Sequence, residues 1–444
     1  MIKTPCFSFL TLLCVGAMLE LTLPTKQAHA EAAADSATRA TFRAESASSL
    51  ADLEAALAER APEVTAARRD AALSDAEVRQ SHLYNNPQLD TSWGTLPVGA
   101  SNPAGLAHPY ANVPNYGIGF TQTIPIGKRG PRQRQAKALS VAAHANVEVT
   151  TRSLAFDLAD ILGELATSTL RREGFAELEA SAERSLTLAK SRLATQFGTG
   201  LDVDRSSIDA QRVKQQRLGS ESAIREQLAA CSSLVMRPCE GFADSSEALS
   251  YLHTWLEQTQ QSQAPLKQRP DLRVLEAEAH AASAALDLAK AERIPDPTVR
   301  LGYLHDRFVV SGNQRNSVNA AISLPLPLFD HGQAKRAAAE AARRSLEQER
   351  QQLLQRAQRQ APLLAERSEL ARELCQRLER EILPQARGVL DNLEHAEASR
   401  LVSMTEVIQA RRTVSELLLE EADSCGDAYQ ATLALLREAP RSEP

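Results

Sequence analysis

The sequence has few aromatic residues, a small net charge and no long apolar run after its first thirty residues. Aromatic residues make up 4% of the 444 residues, and the formal net charge is -6. A chain this close to neutral offers no basic patch, so we do not expect nucleic acid as a partner. No segment beyond the N-terminus approaches the ~18 apolar residues that a membrane-spanning helix requires. If the protein enters a membrane, it must therefore do so through β-strands.

The sequence also lacks the residue spacings that are typical of chemical sites. Its 9 histidines are scattered, and no His-x-His, Cys-x-x-Cys or His-Glu-x-x-His spacing occurs. We therefore predict no metal site and no cofactor within the chain. A Ser/His/Asp set, a phosphate-binding loop and a nucleotide motif are missing as well, so we predict that the protein is not an enzyme.

The first thirty residues have the organisation of a secretory signal peptide. Residues 7–23 are mostly apolar, and the sequence AHA at 28–30 fits the small-x-small cleavage rule. The alternatives are a transmembrane anchor or lipidation at Cys14. Residues 31–48 are rich in Ala, Ser and Glu and are predicted to form a flexible N-terminal segment.

The rest of the chain repeats one plan twice, which indicates an internal duplication. Each copy has a helix with a proline near its start, two short alternating strands and a long helical hairpin. The predicted order is a first repeat at 49–230, an irregular equatorial insert at 231–265, a second repeat at 266–438 and a C-terminal tail at 439–444. The strands are predicted at 89–96, 116–126, 298–306 and 317–326.

The two hairpins consist of very long helices with return arms. Apolar residues recur at spacings of three and four, as in a coiled-coil seam. The long helices are predicted at about 133–197 and 333–398, the return arms at about 202–228 and 403–437, and the turns near 198–201 and 399–402. Pro362 is expected to kink the second long helix or to start a new segment there.

In both copies a strand runs directly into a long helix through a segment rich in proline and glycine. The junction residues are Pro125, Gly127 and Gly130 in the first copy and Pro327 and Gly332 in the second. If the strands lie in a membrane, these residues mark its inner surface. Lys128, Arg129 and Arg132 are then expected near the lipid headgroups.

Four strands are too few to close a barrel, since the smallest packed barrels need about eight. An open sheet in lipid would leave backbone edges unpaired. Three chains would supply twelve strands, so we predict a homotrimer with a closed 12-stranded β-barrel, extended by an α-helical tunnel. The fold class is mainly α with a small β part. The alternative is a soluble sheet packed on a helical bundle.

Three stretches resemble the outer-membrane efflux protein family, the TolC-like export ducts. They are RPDLRVLEAEAHAASAALDLAKAERIPDPTVRLGY at 269–303, ISLPLPLFDHGQAKRAAAE at 322–340 and TQTIPIGKRGPRQRQAKA at 121–138. Their residue patterns are most similar to those of the heavy-metal branch, whose members take part in cobalt–zinc–cadmium and copper/silver efflux. The resemblance implies a trimeric conduit in the outer membrane whose helical part lies in the periplasm. It also implies a periplasmic adaptor and an inner-membrane, proton-driven RND-type pump as partners.

The resemblance also implies roles for the two hairpin turns. Thr199, Gly200 and Leu201 fit the small-Gly-Leu motif that docks the adaptor, whereas Ser399, Arg400 and Leu401 lack the glycine. Asp202, Asp204 and Glu406 follow the turns and would form acidic rings in a trimer, as a channel gate. Gln409 replaces a second gate aspartate. The alternatives are ordinary turns and acids that stabilise a helix N-terminus through the helix dipole, which is expected to explain Asp202 and Asp204 better than Glu406.

The cysteines outside the signal peptide form two candidate pairs. Cys231 and Cys239 bracket a short loop, and Cys375 and Cys425 lie almost equally far from the turn at Leu401. An oxidising compartment permits disulfides in both pairs, although cysteines on an apolar helix stripe are also common as buried thiols.

The sequence therefore predicts a passive exit duct of a tripartite efflux system, with divalent heavy-metal cations as cargo. Alternatives are a duct for drugs or other small molecules, or a soluble periplasmic coiled-coil adaptor or scaffold.

Overall fold

The computed structural model describes residues 41–95, 108–257, 269–307, 314–399 and 401–438. The predicted signal peptide, Arg400 and the C-terminal tail lie outside these ranges. The elements in chain order are β1 (Phe42–Arg43), α1 (Leu50–Ala58), α2 (Pro62–Ser81), β2 (Gln88–Gly94), α3 (Pro109–Asn112), β3 (Asn115–Thr123), α4 (Arg129–Ala194), α5 (Gly200–Val235), β4 (Cys239–Glu240), α6 (Ser245–Glu257), α7 (Pro270–Ala291), β5 (Thr298–Asp306), β6 (Asn316–Ser323), α8 (Gln333–Arg377), α9 (Leu383–Ala398) and α10 (Met404–Glu438). The expected mainly helical fold with a small β part is confirmed.

Two helical hairpins dominate the fold. Helix α4 has 66 residues, which at 1.5 Å per residue is about 100 Å, and α5 packs along it. Helices α8 and α9 form the long arm of the second hairpin and pack against α10. No helix in the part of the chain that the structure describes combines the length and the apolarity needed to cross a membrane.

The second long helix is interrupted, but not at the predicted position. No new segment begins at Pro362, which lies inside α8, so that alternative is wrong, while the expected kink stays a prediction. The interruption is a π-helical turn, Leu378–Ile382, in which the Leu383 amide donates to the Leu378 carbonyl five residues earlier. Pro384 follows at once and has no amide hydrogen to continue the ordinary pattern, which accounts for the shifted register.

The element order repeats the predicted plan, although the duplication itself stays a prediction. Helices α2 and α7 both begin with proline at the first helical position, where the missing N–H is not needed. Each is followed by two strands and a hairpin. Both helices pack against α4, and α7 also packs against α8.

The strands β2, β3, β5 and β6 form one antiparallel sheet in that order. The central pair runs from Asn115 opposite Asp306 to Thr123 opposite Thr298. Within the described residues, β2 and β6 are each paired on one side only, so both are edge strands. A second, two-stranded sheet pairs β1 in parallel with β4, and the sequence patterns missed it because both strands have 2 residues.

The predicted irregular insert is more ordered than expected. Helix α5 continues to Val235, and a helix covers Ser245–Glu257 within the predicted insert. This helix, α6, buries Trp255 completely. It supplies aromatic residues to the main core, which also contains residues of α1, α4 and α10.

Candidate functional site

The register of the four-stranded sheet defines two different faces, because paired residues on neighbouring strands point to the same side. Two rows on one face are Leu89, Phe120, Leu301 and Ala320, and Thr91, Ile118, Tyr303 and Val318. The large apolar side chains in these rows are between 43% and 82% exposed. A contiguous apolar surface of this kind is typical of contact with lipid or with another protein.

The opposite face of the sheet is polar. Asp90, Thr121 and Arg300 lie in neighbouring positions there, and the Thr121 hydroxyl donates to the Asp90 carboxylate. The Arg300 Nε lies 3.9 Å from the same carboxylate. Such a division between one apolar and one polar face allows the sheet to separate lipid from water.

The turn of the first hairpin is held by a capping box at the start of α5. The Asp202 amide donates to the Thr199 hydroxyl at 3.3 Å, and the Asp202 carboxylate accepts from the Thr199 amide at 3.0 Å. Leu201 is 59% exposed and Phe197 is 87% exposed. A Cβ added at Gly200 would meet no atom within 4 Å. The fold itself therefore does not require glycine at position 200.

The turn of the second hairpin is built in the same way. The Ser403 amide donates to the Glu406 carboxylate at 2.8 Å, and the Glu406 amide donates to the Ser403 carbonyl at 3.0 Å. Leu401 is 79% exposed. Ser399 is the C-terminal cap residue of helix α9. Both hairpins therefore present an exposed leucine beside a helix start.

The two hairpin turns lie close together in one chain. The Arg192 guanidinium near the end of α4 donates to the Thr405 hydroxyl at 2.8 Å. Further along, Arg412 of α10 donates to the Asp209 carboxylate of α5 at 3.0 Å. The five described residues that the sequence assigned to adaptor docking thus lie at two neighbouring turns, and Arg400 lies outside the described residues.

The three predicted gate acids have different surroundings. Asp202 and Glu406 both occupy the third position of a helix and cap its start, so a stabilising role at the helix N-terminus fits Glu406 as well as Asp202, contrary to expectation. Hydrogen bonds from the Thr199 hydroxyl and amide lower the pKa of Asp202. Asp204 is exposed. These contacts account for two of the acids locally, and the gate role stays a prediction.

The strand-to-helix junctions need glycine at two positions. Gly127 has φ of 71° and Gly332 has φ of 74°, which side chains other than glycine rarely adopt. Gly130 is different, since it lies in the first turn of α4, which begins at Arg129. Pro125 and Pro327 lie in the segments that leave β3 and β6.

Both junctions are tied to the C-terminal end of α7 and the segment after it. Lys128 makes a 2.8 Å ion pair with Asp296, which lies between two prolines. The Asp296 carboxylate also accepts from the Ile126 amide at 3.0 Å. In the second junction, Lys335 makes a 2.8 Å ion pair with Glu292. The sequence pattern predicted only that a helix ends in this segment. It did not predict that Asp296 binds Lys128 and the Ile126 amide of the first junction.

The basic junction residues make contacts within the chain, and their expected position near lipid headgroups stays a prediction. The charge of Lys128 is paired with Asp296, and its side chain is 18% exposed. The Arg129 guanidinium stacks over the Tyr84 ring, 4.1 Å from its centre. Arg132 is exposed and lines a pocket beside the junction together with Tyr84 and Arg129. The contacts of Lys128 and Arg129 hold the junction together.

The structure contains two disulfides, Cys231–Cys239 and Cys375–Cys425. The second lies in the main core and joins α8 to α10. The fold also brings His253 to this disulfide, so that three candidate metal ligands cluster although their sequence spacing gives no signal. The prediction of no metal-ligating set therefore missed a juxtaposition that only the tertiary structure creates.

No protein-family model and no curated protein matches the sequence. Solved structures do match. The chain is similar to the outer-membrane channel OprN, with 16% identity, TM-score 0.66 and coverage of 88% of this chain and 89% of that chain. It is similar to the outer membrane protein VceC from Vibrio cholerae, with 18% identity, TM-score 0.64 and coverage of 88% and 95%. It is also similar to the CmeC outer membrane channel of Campylobacter jejuni, with 11% identity, TM-score 0.67 and coverage of 89% and 87%. The chain therefore has the fold of outer-membrane channel proteins.

Proposed function

We propose that this protein is the outer-membrane exit duct of a tripartite efflux system. The observation that carries the proposal is the sheet with one exposed apolar face and two edge strands, continued by helical hairpins. The likeness to solved outer-membrane channels supports the same conclusion at the level of the fold. The polypeptide acts as a passive conduit and catalyses no reaction.

The edge strands β2 and β6 call for partner chains. In a homotrimer, β6 of one copy pairs with β2 of the next, and three copies close a 12-stranded barrel whose apolar face meets lipid. The two helical hairpins of each copy then extend the barrel into the periplasm as a tunnel. The direct test is outer-membrane fractionation with the mass of the purified particle. Recovery as a soluble monomer would instead favour the periplasmic scaffold.

The hairpin turns dock a periplasmic adaptor, which in turn contacts an inner-membrane, proton-driven pump. The exposed Leu201 and Leu401 supply apolar contacts, and the open space around Gly200 leaves room for a close approach of the adaptor. Because the fold does not need glycine at position 200, any requirement for it must come from a partner.

A matched pair of variants tests the docking role. Gly200→Asp lies at the turn, and Gly219→Asp lies further along the same helix in a position that is equally open. Gly200→Asp should abolish site-specific crosslinking to the adaptor and export, while trimer formation persists. Gly219→Asp should retain all three. Equal export by both variants would count against docking at this turn.

We propose that adaptor docking opens the duct by separating the two hairpins near their turns. The hydrogen bond between Arg192 and Thr405 and the ion pair between Arg412 and Asp209 link the two hairpins. The exposed ion pair stabilises the structure by about 0–1 kcal/mol. The gate can therefore open at a cost that protein binding offsets. Arg412→Ala should raise single-channel conductance in planar bilayers.

Divalent heavy-metal cations are the proposed cargo. The proposal is supported by the sequence resemblance and by Asp202, Asp204 and Glu406, which lie just after the hairpin turns, since acidic rings favour cations. A deletion strain should become sensitive to zinc, cobalt, cadmium or copper. Sensitivity to a drug panel alone would reassign the duct to small organic molecules.

A further inference from the structure

A disulfide and a histidine from three different helices meet in the main core. Cys375 of α8 and Cys425 of α10 are both fully buried. His253 of α6 approaches them, and its candidate ligand nitrogen and the two sulfur atoms lie within 4.8 Å of one another. Among the described residues, no other set of three or more His, Cys, Asp or Glu side chains forms such a group.

The histidine has an acidic neighbour on the π-helical turn. The His253 Nε2 lies 3.3 Å from the Glu379 carboxylate. The two atoms are buried but not aligned for a hydrogen bond, so neither has a hydrogen-bond partner among the described residues. The π-helical turn that carries Glu379 begins three residues after Cys375, and such turns occur frequently at functional sites.

We propose that reduction of the Cys375–Cys425 bond converts this cluster into a binding site for Zn²⁺ or a similar thiophilic divalent cation. A dithiol reductant supplies two electrons that break the S–S bond, and its two protons pass to the cysteine sulfurs while it becomes a disulfide itself. The cation then binds two thiolates and the neutral imidazole of His253, and the two thiol protons are released.

The residue types and their placement suit such a cation. Thiolate and imidazole are the ligands that zinc prefers, with Zn–S about 2.3 Å and Zn–N about 2.0 Å. In a tetrahedral site these bond lengths separate ligand atoms by roughly 3.5–3.8 Å, which the present spacing within 4.8 Å can reach by small side-chain rotations. Glu379 acts as a positioning residue that orients the imidazole.

The site also has a defined depth and a structural consequence. The side chains of His253 and Glu379 are 29% and 30% exposed, whereas both cysteines are fully buried, so the cluster lies just beneath the protein surface. The cation would link α6, α8 and α10, replacing the cross-link that the disulfide provides. The inference does not rest on the proposed export function, since it uses only side chains within the helical core.

The test uses the purified full-length protein in detergent. The protein is reduced with dithiothreitol and freed of reductant without oxygen, and its thiols are counted by alkylation and mass spectrometry. Co²⁺ then serves as a spectroscopic probe for a zinc site. Reduced protein should bind one Co²⁺ per chain with thiolate-to-cobalt absorption, and Zn²⁺ should displace it. Oxidised protein should bind none at this site.

The second disulfide provides a matched control. Cys231→Ser with Cys239→Ser should retain the Co²⁺ spectrum after reduction, whereas Cys375→Ser with Cys425→Ser should lose it. His253→Ala should lose the tetrahedral spectrum with its thiol count unchanged. Glu379→Gln should weaken affinity by roughly 10–100-fold, as expected for a positioning residue.

Several results would overturn the proposal. One is a folded, reduced protein that binds no Co²⁺. Others are a spectrum that survives in the Cys375 and Cys425 double variant, or one that is unchanged in His253→Ala. Loss of helical circular dichroism on reduction would also overturn it, because the site requires the three helices to remain packed.

Discussion

One pair of substitutions on β6 separates a lipid-facing sheet from a soluble one. Ala320 and Asn319 are adjacent and exposed, and they lie on opposite faces. Ala320 belongs to the apolar row that contains Phe120 and Leu301, whereas Asn319 lies opposite Gly302 on the polar face. Arginine at either position adds the same charge to the same strand. The two variants therefore differ only in the environment that the added charge meets.

The expected penalty follows from the proposed position of each face. An arginine on the lipid face near the middle of the bilayer costs about 2–4 kcal/mol, whereas substitutions facing the lumen are tolerated. A trimer carries three copies, so Ala320→Arg should destabilise it by roughly 6–12 kcal/mol if the copies act independently. Asn319→Arg should change stability little, because the side chain at position 319 is exposed on the polar face.

The assay is denaturant-dependent folding into lipid vesicles, together with outer-membrane fractionation of cells that express each variant. Ala320→Arg should fail to insert or should unfold at a much lower denaturant concentration, and Asn319→Arg should follow the unsubstituted protein. In a soluble protein both positions are plain surface, where substitutions change stability by about 0.5 kcal/mol or less. Equal behaviour of the two variants would therefore refute the lipid-facing assignment.

Three further predictions concern the helical part. Gly163→Ala places a Cβ in steric overlap with the buried Tyr429 ring and should cost about 1–3 kcal/mol of stability, measured as a lower thermal midpoint by circular dichroism. Burial raises the pKa of Glu421 above its ordinary value of 4.5, so ionisation of Glu421 destabilises the fold as pH rises through the raised pKa of the folded state. Glu421→Gln should therefore raise the thermal midpoint at neutral pH. The difference in thermal midpoint between this variant and the unsubstituted protein should vanish well below pH 4.5. Hydrogen bonds from Thr199 lower the pKa of Asp202 in the folded state, so this cap contributes its full stability above the ordinary pKa of 3.8 and loses it as pH falls through the lowered pKa. Amide hydrogen exchange at the first turn of α5 should therefore accelerate in that acidic range. Thr199→Ala should produce faster exchange already at neutral pH.

Local patterns were sufficient to locate the sheet and hairpins. The predicted strand at 116–126 corresponds to Asn115–Thr123, and the predicted long helix at 133–197 corresponds to Arg129–Ala194. Alternation with a period of two and apolar spacings of three and four are properties of consecutive residues, so they are readable without a structure. Element ends were less predictable, since α5 extends to Val235 because of its packing in the core.

Proline shows where local rules fall short. Two prolines lie in the second long helix, and the sequence predicted an interruption at Pro362. The structure carries α8 through Pro362 and places the π-helical turn directly before Pro384. Whether a missing amide hydrogen interrupts a helix depends on what the surrounding turns pack against, which the sequence of one helix does not contain.

The sequence by itself determined the repeated strand and hairpin plan, the four amphipathic strands and the positions of the hairpin turns, because each follows from short-range periodicity and turn residues. Only the tertiary structure decided which distant side chains meet. It paired Lys128 with Asp296 and brought His253 to the Cys375–Cys425 bond. These contacts join residues that are far apart in the chain, and their energies depend on packing between helices that no local pattern records.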